Sequence, residues 1–278
     1  TSISADGRYF FQGPAMYYLL APAMAVFNWQ VIAGSYYFIS LNLISLILIY
    51  FSTKKLFGQK AGLIAAASFA LFPETVFHSK FVWNPNFLPL ISSLIISLLA
   101  DLWPIQPKLK ILLIGLLLGL GLQFHYQILV LSLVLIACLT FKSKAKLQTI
   151  FTLAAGFIAG YLPIIIFELR NNFYNLKTIY FIFRQGGTDQ GFQLHSYYFI
   201  SFLPFIFTYV VVYLAKLSKS QKWLNLIIIL FLGWSAFASW KQINTNRGMP
   251  GNWRLPYAQK ASEIIQNENP TNFNIVNL

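Results

Sequence analysis

Lys108-Leu109-Lys110, then Ile111 to Phe141 with no Lys, Arg, Asp or Glu, then Lys142-Ser143-Lys144-Ala145-Lys146: this stretch decides the fold. Residues 109–141 are too long for one membrane crossing, which takes ~20 apolar residues, and short for two. Lysines stay on the cytoplasmic side of a bilayer, so lysines at both ends force a hairpin. Arms of ~16 residues reach only ~24 Å at 1.5 Å per residue. The apex, Gln123-Phe124-His125-Tyr126-Gln127, is therefore expected below the outer surface. Irregular polar backbone at that depth survives only where protein buries it or where it lines a watery cavity. The hairpin thus predicts an outward-facing cavity.

Outward from this hairpin, the connections between apolar runs alternate between lysine-rich and lysine-poor. Lys54, Lys55 and Lys60, Lys108 and Lys110, Lys142, Lys144 and Lys146, and Lys216, Lys219 and Lys222 form the inner set. Glu74 to Asn86, Gln123 to Gln127 and Glu168 to His195 form the outer set. Expected spans are 31–53, 60–77, 86–103, 109–124, 126–141, 147–167, 196–215 and 223–240, an even number that leaves both ends of this chain extracytoplasmic. With 57% hydrophobic and 10% charged residues, the chain is far from the half-apolar, quarter-charged composition of soluble domains. The net charge of +13 is explained by topology and anionic lipid rather than nucleic acid, because eleven of the twenty basic residues are those inner lysines, set against one inner acid, Asp101. Cys138 is the only cysteine, which excludes an internal disulfide and a cysteine-based zinc cluster.

The expected fold class is an all-α polytopic membrane protein, a bundle of about eight spans with the start of a small extracytoplasmic α/β domain at the C-terminus. Residues 1–30 form an outer loop and interfacial helix, the helix covering Gly13 to Phe27 with Tyr17 and Tyr18 at headgroup level. Residues 31–240 form the membrane domain. Residues 241–278 read as part of a soluble domain: a short helix Tyr257 to Gln266, a turn, and a strand from Phe273 that lacks a partner. The chain is expected to stop inside that domain, and to begin after an initial segment.

The residues able to do chemistry lie in the outer set. Glu74 and His78 are four apart and share a helix face. Lys80, Asn84 and Asn86 follow; a plain interfacial helix end anchored by Trp83 would explain them equally. Glu168 and Arg170 are two apart and face different partners. Membrane-edge charges are costly enough to suggest function, and the forked donors of Arg170 suit a phosphate. Asn171 follows. Gln123, His125 and Gln127 either face a substrate or simply hold the hairpin. Glu74, His78, His125, Glu168 and His195 could supply a divalent metal, but no ligand spacing supports one; the cofactor is left unknown. Arg184 to His195, with Gly186, Gly187, Asp189 and Gly191, has the composition of a loop that covers substrate, or of a plain turn.

Taken in order, Gln12-Gly13-Pro14 running into Tyr17-Tyr18-Leu19-Leu20-Ala21-Pro22, the Asn42-bearing span ending Lys54-Lys55-Leu56-Phe57-Gly58, Trp83-Asn84-Pro85-Asn86, Gln123-Phe124-His125 and Phe167-Glu168-Leu169-Arg170-Asn171-Asn172 resemble bacterial GT-C membrane glycosyltransferases of the protein O-mannosyltransferase and aminoarabinose transferase group. The resemblance covers residues 3–240. It implies transfer of a sugar from a polyprenyl-phosphate carrier to a lipid, protein or glycan acceptor on the outer side of the plasma membrane, with no nucleic-acid partner. A carboxylate would take the acceptor's proton while the anomeric carbon is displaced, and positive charge would hold the leaving phosphate. Lys80 and Arg170 are the candidates for phosphate binding; Glu74, His78, Asn84, Asn86, Gln123, His125, Gln127, Glu168 and Asn171 for substrate binding. The resemblance puts the catalytic aspartate upstream of Thr1, since Asp6 stands too close to Gln12-Gly13-Pro14.

The alternative is a transporter or flippase of a lipid-linked or anionic solute, and a membrane scaffold without chemistry is the third reading. A carrier would place ionisable residues mid-span and show repeated broken helices. Here the mid-span polar residue, Asn42, is uncharged, and no repeat of that kind stands out.

Overall fold

The computed structural model describes residues 4–5, 8–142, 146–184, 196–210, 213 and 221–244. The chain is an α-helical polytopic membrane protein. Among the described residues the strands are the two-residue β1 (Ser4–Ala5) and β2 (Arg8–Tyr9), paired antiparallel. The helices are α1 (Ala15–Val26), α2 (Val31–Phe57), α3 (Gln59–Leu71), α4 (Pro73–His78), α5 (Leu88–Leu99), α6 (Pro107–Phe124), α7 (Ile128–Lys142), α8 (Lys146–Arg170), α9 (Tyr174–Arg184), α10 (Leu203–Phe205) and α11 (Gln221–Asn244).

Four of these are long and apolar enough to cross a membrane: Ile32–Phe57, Pro107–Phe124, Lys146–Arg170 and Asn225–Asn244. They answer four of the eight expected spans. Two of the others, at 60–77 and 86–103, are broken or shortened for local reasons. The span expected at 60–77 is two helices, because Pro73 holds Phe72 in an extended conformation (φ −70°, ψ 129°). The break leaves the carbonyl of Leu71 open to the hydroxyl of Ser239 on α11, at 2.7 Å. The span expected at 86–103 starts with a 3-10 turn, Asn84–Phe87, and its helix stops at Leu99 ahead of the left-handed Asp101 (φ 55°). The span expected at 196–215 begins as a 3-10 turn (Ser196–Phe199), then α10 and a π turn (Ile206–Val210), with most of its remainder outside the described residues. The α/β segment expected after α11, the Asp6 position and the loop from 185 to 195 also lie outside them.

The expected hairpin forms: α6 and α7 are joined by His125, Tyr126 and Gln127. Its arms, however, are not each other's main partners. α6 packs along its length on α8, and both helices run in the same direction. Four glycines make this possible. A Cβ on Gly115 or Gly119 would overlap the carbonyl oxygens of Leu153 and Phe157; one on Gly156 or Gly160 would overlap those of Leu112 and Leu116. Two Gly-xxx-Gly pairs thus let backbone meet backbone, the association mode available where lipid is as apolar as leucine. The main core, with Phe38, Phe87, Leu88, Ile95, Ile114, Leu118 and Phe124, sits between α2, α5 and this α6–α8 pair.

The polar ends sort into two groups. Lys55 donates to the carbonyl of Asp101, whose carboxylate pairs with Lys110, while Lys60 reaches Asn225 at 3.3 Å. Ends carrying the inner set of lysines therefore meet one another.

Candidate functional site

Three consecutive residues ahead of α1 each bind a different polar patch. The N–H of Phe11 donates to Asn175 Oδ1 at 2.8 Å, and its carbonyl accepts from Asn175 Nδ2 at 3.0 Å. Gln12 Oε1 accepts from Asn84 Nδ2. The N–H of Gly13 donates to the carbonyl of Gln123 at 3.0 Å. Gly13 is required there, since a Cβ would collide with the Gln123 side chain. An extended segment has its N–H and C=O free for such cross-links: here the backbone of Phe11 and Gly13 meets residues 175 and 123, while the side chain of Gln12 meets residue 84.

The patch at α4 is built around His78. Pro73 starts α4, and one helical turn puts Glu74 and His78 on one face, with Nε2 to Oε2 at 3.4 Å. Asn86 lies opposite, its Oδ1 3.1 Å from His78 Nδ1 and its Nδ2 donating to the carbonyl of Phe81 at 2.9 Å. That second bond fixes the amide so that its oxygen faces the ring. Trp83 stacks on the imidazole (centroids 5.6 Å apart, 16° between planes) and on Phe81. The tryptophan is thus packed on this patch. Lys80 lies over the ring of Phe77 at 5.8 Å. Burial pushes its pKa down, a cost that an anionic partner would offset.

At the hairpin apex Gln123, His125 and Gln127 are buried, as the short arms require. Gln123 Nε2 donates to the carbonyl of Gly160 at 2.6 Å, at the end of the glycine seam nearest the apex. The N–H of Gln127 donates to His125 Nδ1 at 3.3 Å, and Tyr126 donates to or accepts from the hydroxyl of Tyr198 at 2.7 Å. Burial brings His125, in the connector between the two helices, down to about 4.

The third patch is the corner between α8 and α9. The buried Glu168 carboxylate accepts from the N–H groups of Asn175 and Leu176 at 3.2 and 3.3 Å. Those are two of the orphan donors at the start of α9, so Glu168 caps that helix from the last turn of the preceding one. Asn172 (φ 51°) and Phe173 (φ 57°) make the left-handed turn between them. Phe11 packs its ring against Phe167 and Tyr174, with centroids 5.6 and 5.4 Å apart. Arg170 and Asn171 stand on the exposed side, and Asn171 Nδ2 returns to the carbonyl of Phe167 at 2.8 Å.

Of the expected residues, Glu74, His78 and Asn86 are brought into one chain of contacts. Asn84, Gln123 and the Glu168 corner are joined through residues 11–13. No described contact joins Lys80 to Arg170, and no three His, Cys, Asp or Glu side chains converge among the described residues. Sequence reasoning missed Asn175 and the Gly115, Gly119, Gly156 and Gly160 seam. The four-residue glycine spacing was visible; nothing marked Asn175 among its asparagine neighbours.

A comparison with protein-family models matches residues 12–167 to the family described as dolichyl-phosphate-mannose-protein mannosyltransferase. No curated protein and no solved structure matches the chain.

Proposed function

This chain belongs to the dolichyl-phosphate-mannose-protein mannosyltransferase family, and from that premise we propose that it moves a sugar from a polyprenyl-phosphate donor to an acceptor on the outer side of the plasma membrane. At the coarser level it is a membrane glycosyltransferase of the GT-C type. The observation that carries the finer reading is the run Phe11-Gln12-Gly13, which ties three polar patches to a single segment. Polar groups at three helix ends serve one surface in an enzyme, whereas a solute path would need them along the spans.

In this reading Lys80 and Arg170 hold the donor phosphate and take up the charge that develops on it as the glycosidic bond breaks. Lys80 is half-buried with a lowered pKa, so an anion beside it recovers part of its desolvation cost. Arg170 is exposed beside the corner with Asn171 next to it, and Glu74, partly exposed on α4, is a further polar group for a bound sugar or acceptor. Asn84, Asn86, Gln123, His125 and Gln127 shape the floor beneath it. The proton of the acceptor hydroxyl needs a carboxylate. Glu168 is occupied by the start of α9 and Glu74 by His78, so the base is sought outside the described residues. The lysine-bearing ends face the cytoplasm, and both ends of this chain face outward.

The test is reconstitution in vesicles with a polyprenyl-phosphate-linked, radiolabelled sugar. Release of the polyprenyl phosphate with the label passing to an acceptor is expected. Movement of intact donor between leaflets, with no bond broken, would overturn the enzyme reading in favour of a carrier.

A further inference from the structure

A groove of about 720 Å³ opens between α6 and α8 at the end opposite the three polar patches. Leu109 and Leu112 line it from α6, and Leu147, Phe151 and Ala155 from α8. It starts where the glycine seam stops: Leu112, whose carbonyl touches Gly156, is the innermost seam residue and also a wall of the groove. Polar groups are confined to one end, at Gln106, Lys108 and Gln148; Thr152, farther along, spends its hydroxyl on the carbonyl of Gln148 at 2.8 Å.

The charge at that end is unbalanced. Lys110 is paired with Asp101, the one described acid on this face. Lys108, on the rim, and Lys146, next to the lining Leu147, are exposed and have no carboxylate partner among the described residues. An apolar slot with the Lys108 ammonium on its rim and Lys146 at the residue preceding its lining Leu147 matches one chemistry: an acyl chain joined to an anionic headgroup. We infer that the groove binds an anionic glycerophospholipid, with its phosphodiester against Lys108 and Lys146 and an acyl chain along Leu112, Phe151 and Ala155. A lysine near a membrane surface contributes a modest attraction to anionic lipid; the slot converts that general attraction into a defined position by fixing where the chain lies. The lipid would wedge α6 and α8 just inside their glycine contacts, at the other end of both helices from Gln123 and Glu168. The site is independent of the transfer reaction and of which leaflet the lysines face.

The test uses the full chain purified in detergent, with phosphatidylglycerol and phosphatidylcholine of identical acyl chains titrated separately and bound lipid counted by native mass spectrometry. Phosphatidylglycerol is expected to bind about thirtyfold more tightly, and the double variant Lys108→Gln, Lys146→Gln to lose that preference while its affinity for phosphatidylcholine stays the same. Ala155→Trp fills the slot from its lipid-facing wall and is expected to lower affinity for both lipids with the lysines intact. Equal binding of the two lipids by the unaltered protein would overturn the inference. So would a phosphatidylglycerol preference that survives the lysine substitutions, lipid affinities untouched by Ala155→Trp, or a pull-down in which an acidic protein partner, rather than lipid, depends on Lys108 and Lys146.

Discussion

Asn175 holds the main chain of Phe11 with both ends of its amide, accepting from the N–H at 2.8 Å and donating to the carbonyl at 3.0 Å. A side chain here does what a neighbouring strand would do. It ties the segment ahead of α1 to a corner more than 160 residues further on.

Replacing Asn175 with Ala removes both bonds. At about 1 kcal/mol net for each, detachment of residues 8–14 should become about thirtyfold more frequent. Hydrogen exchange at Phe11 and Gly13 should rise accordingly, and transfer should fall while the main melting transition moves little.

Glu168→Gln separates a helix cap from a substrate ligand. Its carboxylate accepts from two N–H groups, whereas a glutamine offers one oxygen and turns a donor toward the other. A loss of about 1 kcal/mol is expected, seen as faster exchange at Asn175 and Leu176. Unchanged exchange with abolished transfer would return Glu168 to the substrate.

Arg170→Ala and Lys80→Ala should each reduce transfer at least tenfold without shifting the melting temperature, because neither cation anchors another described side chain through an ion pair. Arg170→Lys should restore only part of the rate, since a point charge replaces a fork. Wild-type rates in either alanine variant would remove that residue from the phosphate site.

The glycine seam gives a contrast within one residue type. Gly119→Val should cost about 1–3 kcal/mol by forcing α6 off the carbonyl of Phe157. Gly233→Ala, on α11, meets nothing within 4 Å and should be neutral or slightly stabilising. Melting in detergent decides both.

His125 should make stability fall with acid. Its folded pKa is held at about 4 by burial, while an unfolded histidine titrates at 6.5. Between those values the unfolded state binds the extra proton, so stability is complete above 6.5 and declines as pH drops toward 4. His125→Asn should flatten that slope in melts recorded from pH 7 to pH 4.5.

The lysine pattern made the hairpin and the two polar faces legible, because lysine position and span length are both set by the bilayer, which acts on any sequence alike. Span lengths were less legible. Hydropathy does not see that Pro73 splits one run into α3 and α4, or that Asp101 ends α5 with a left-handed residue. The partnership of α6 with α8 was legible in principle, from Gly115, Gly119, Gly156 and Gly160, yet the hairpin drew attention to α7. The patches around Glu74, Gln123 and Glu168 were identified by their polarity. What joined them was not, since Phe11, Gln12 and Gly13 act largely through backbone atoms that every residue possesses.

The seam also sets a level. Where two helices touch through missing side chains, a slip of one residue would drive a leucine or phenylalanine into a carbonyl, so α6 and α8 can mesh only at particular steps, like the teeth of a rack. Gln123 lies eight residues beyond Gly115, about 12 Å along the same axis, and is bonded to Gly160 on the facing helix. The height of Gln123 is therefore gauged along the helix pair, by residues such as Gly115 and Gly156 that belong to none of the three polar patches.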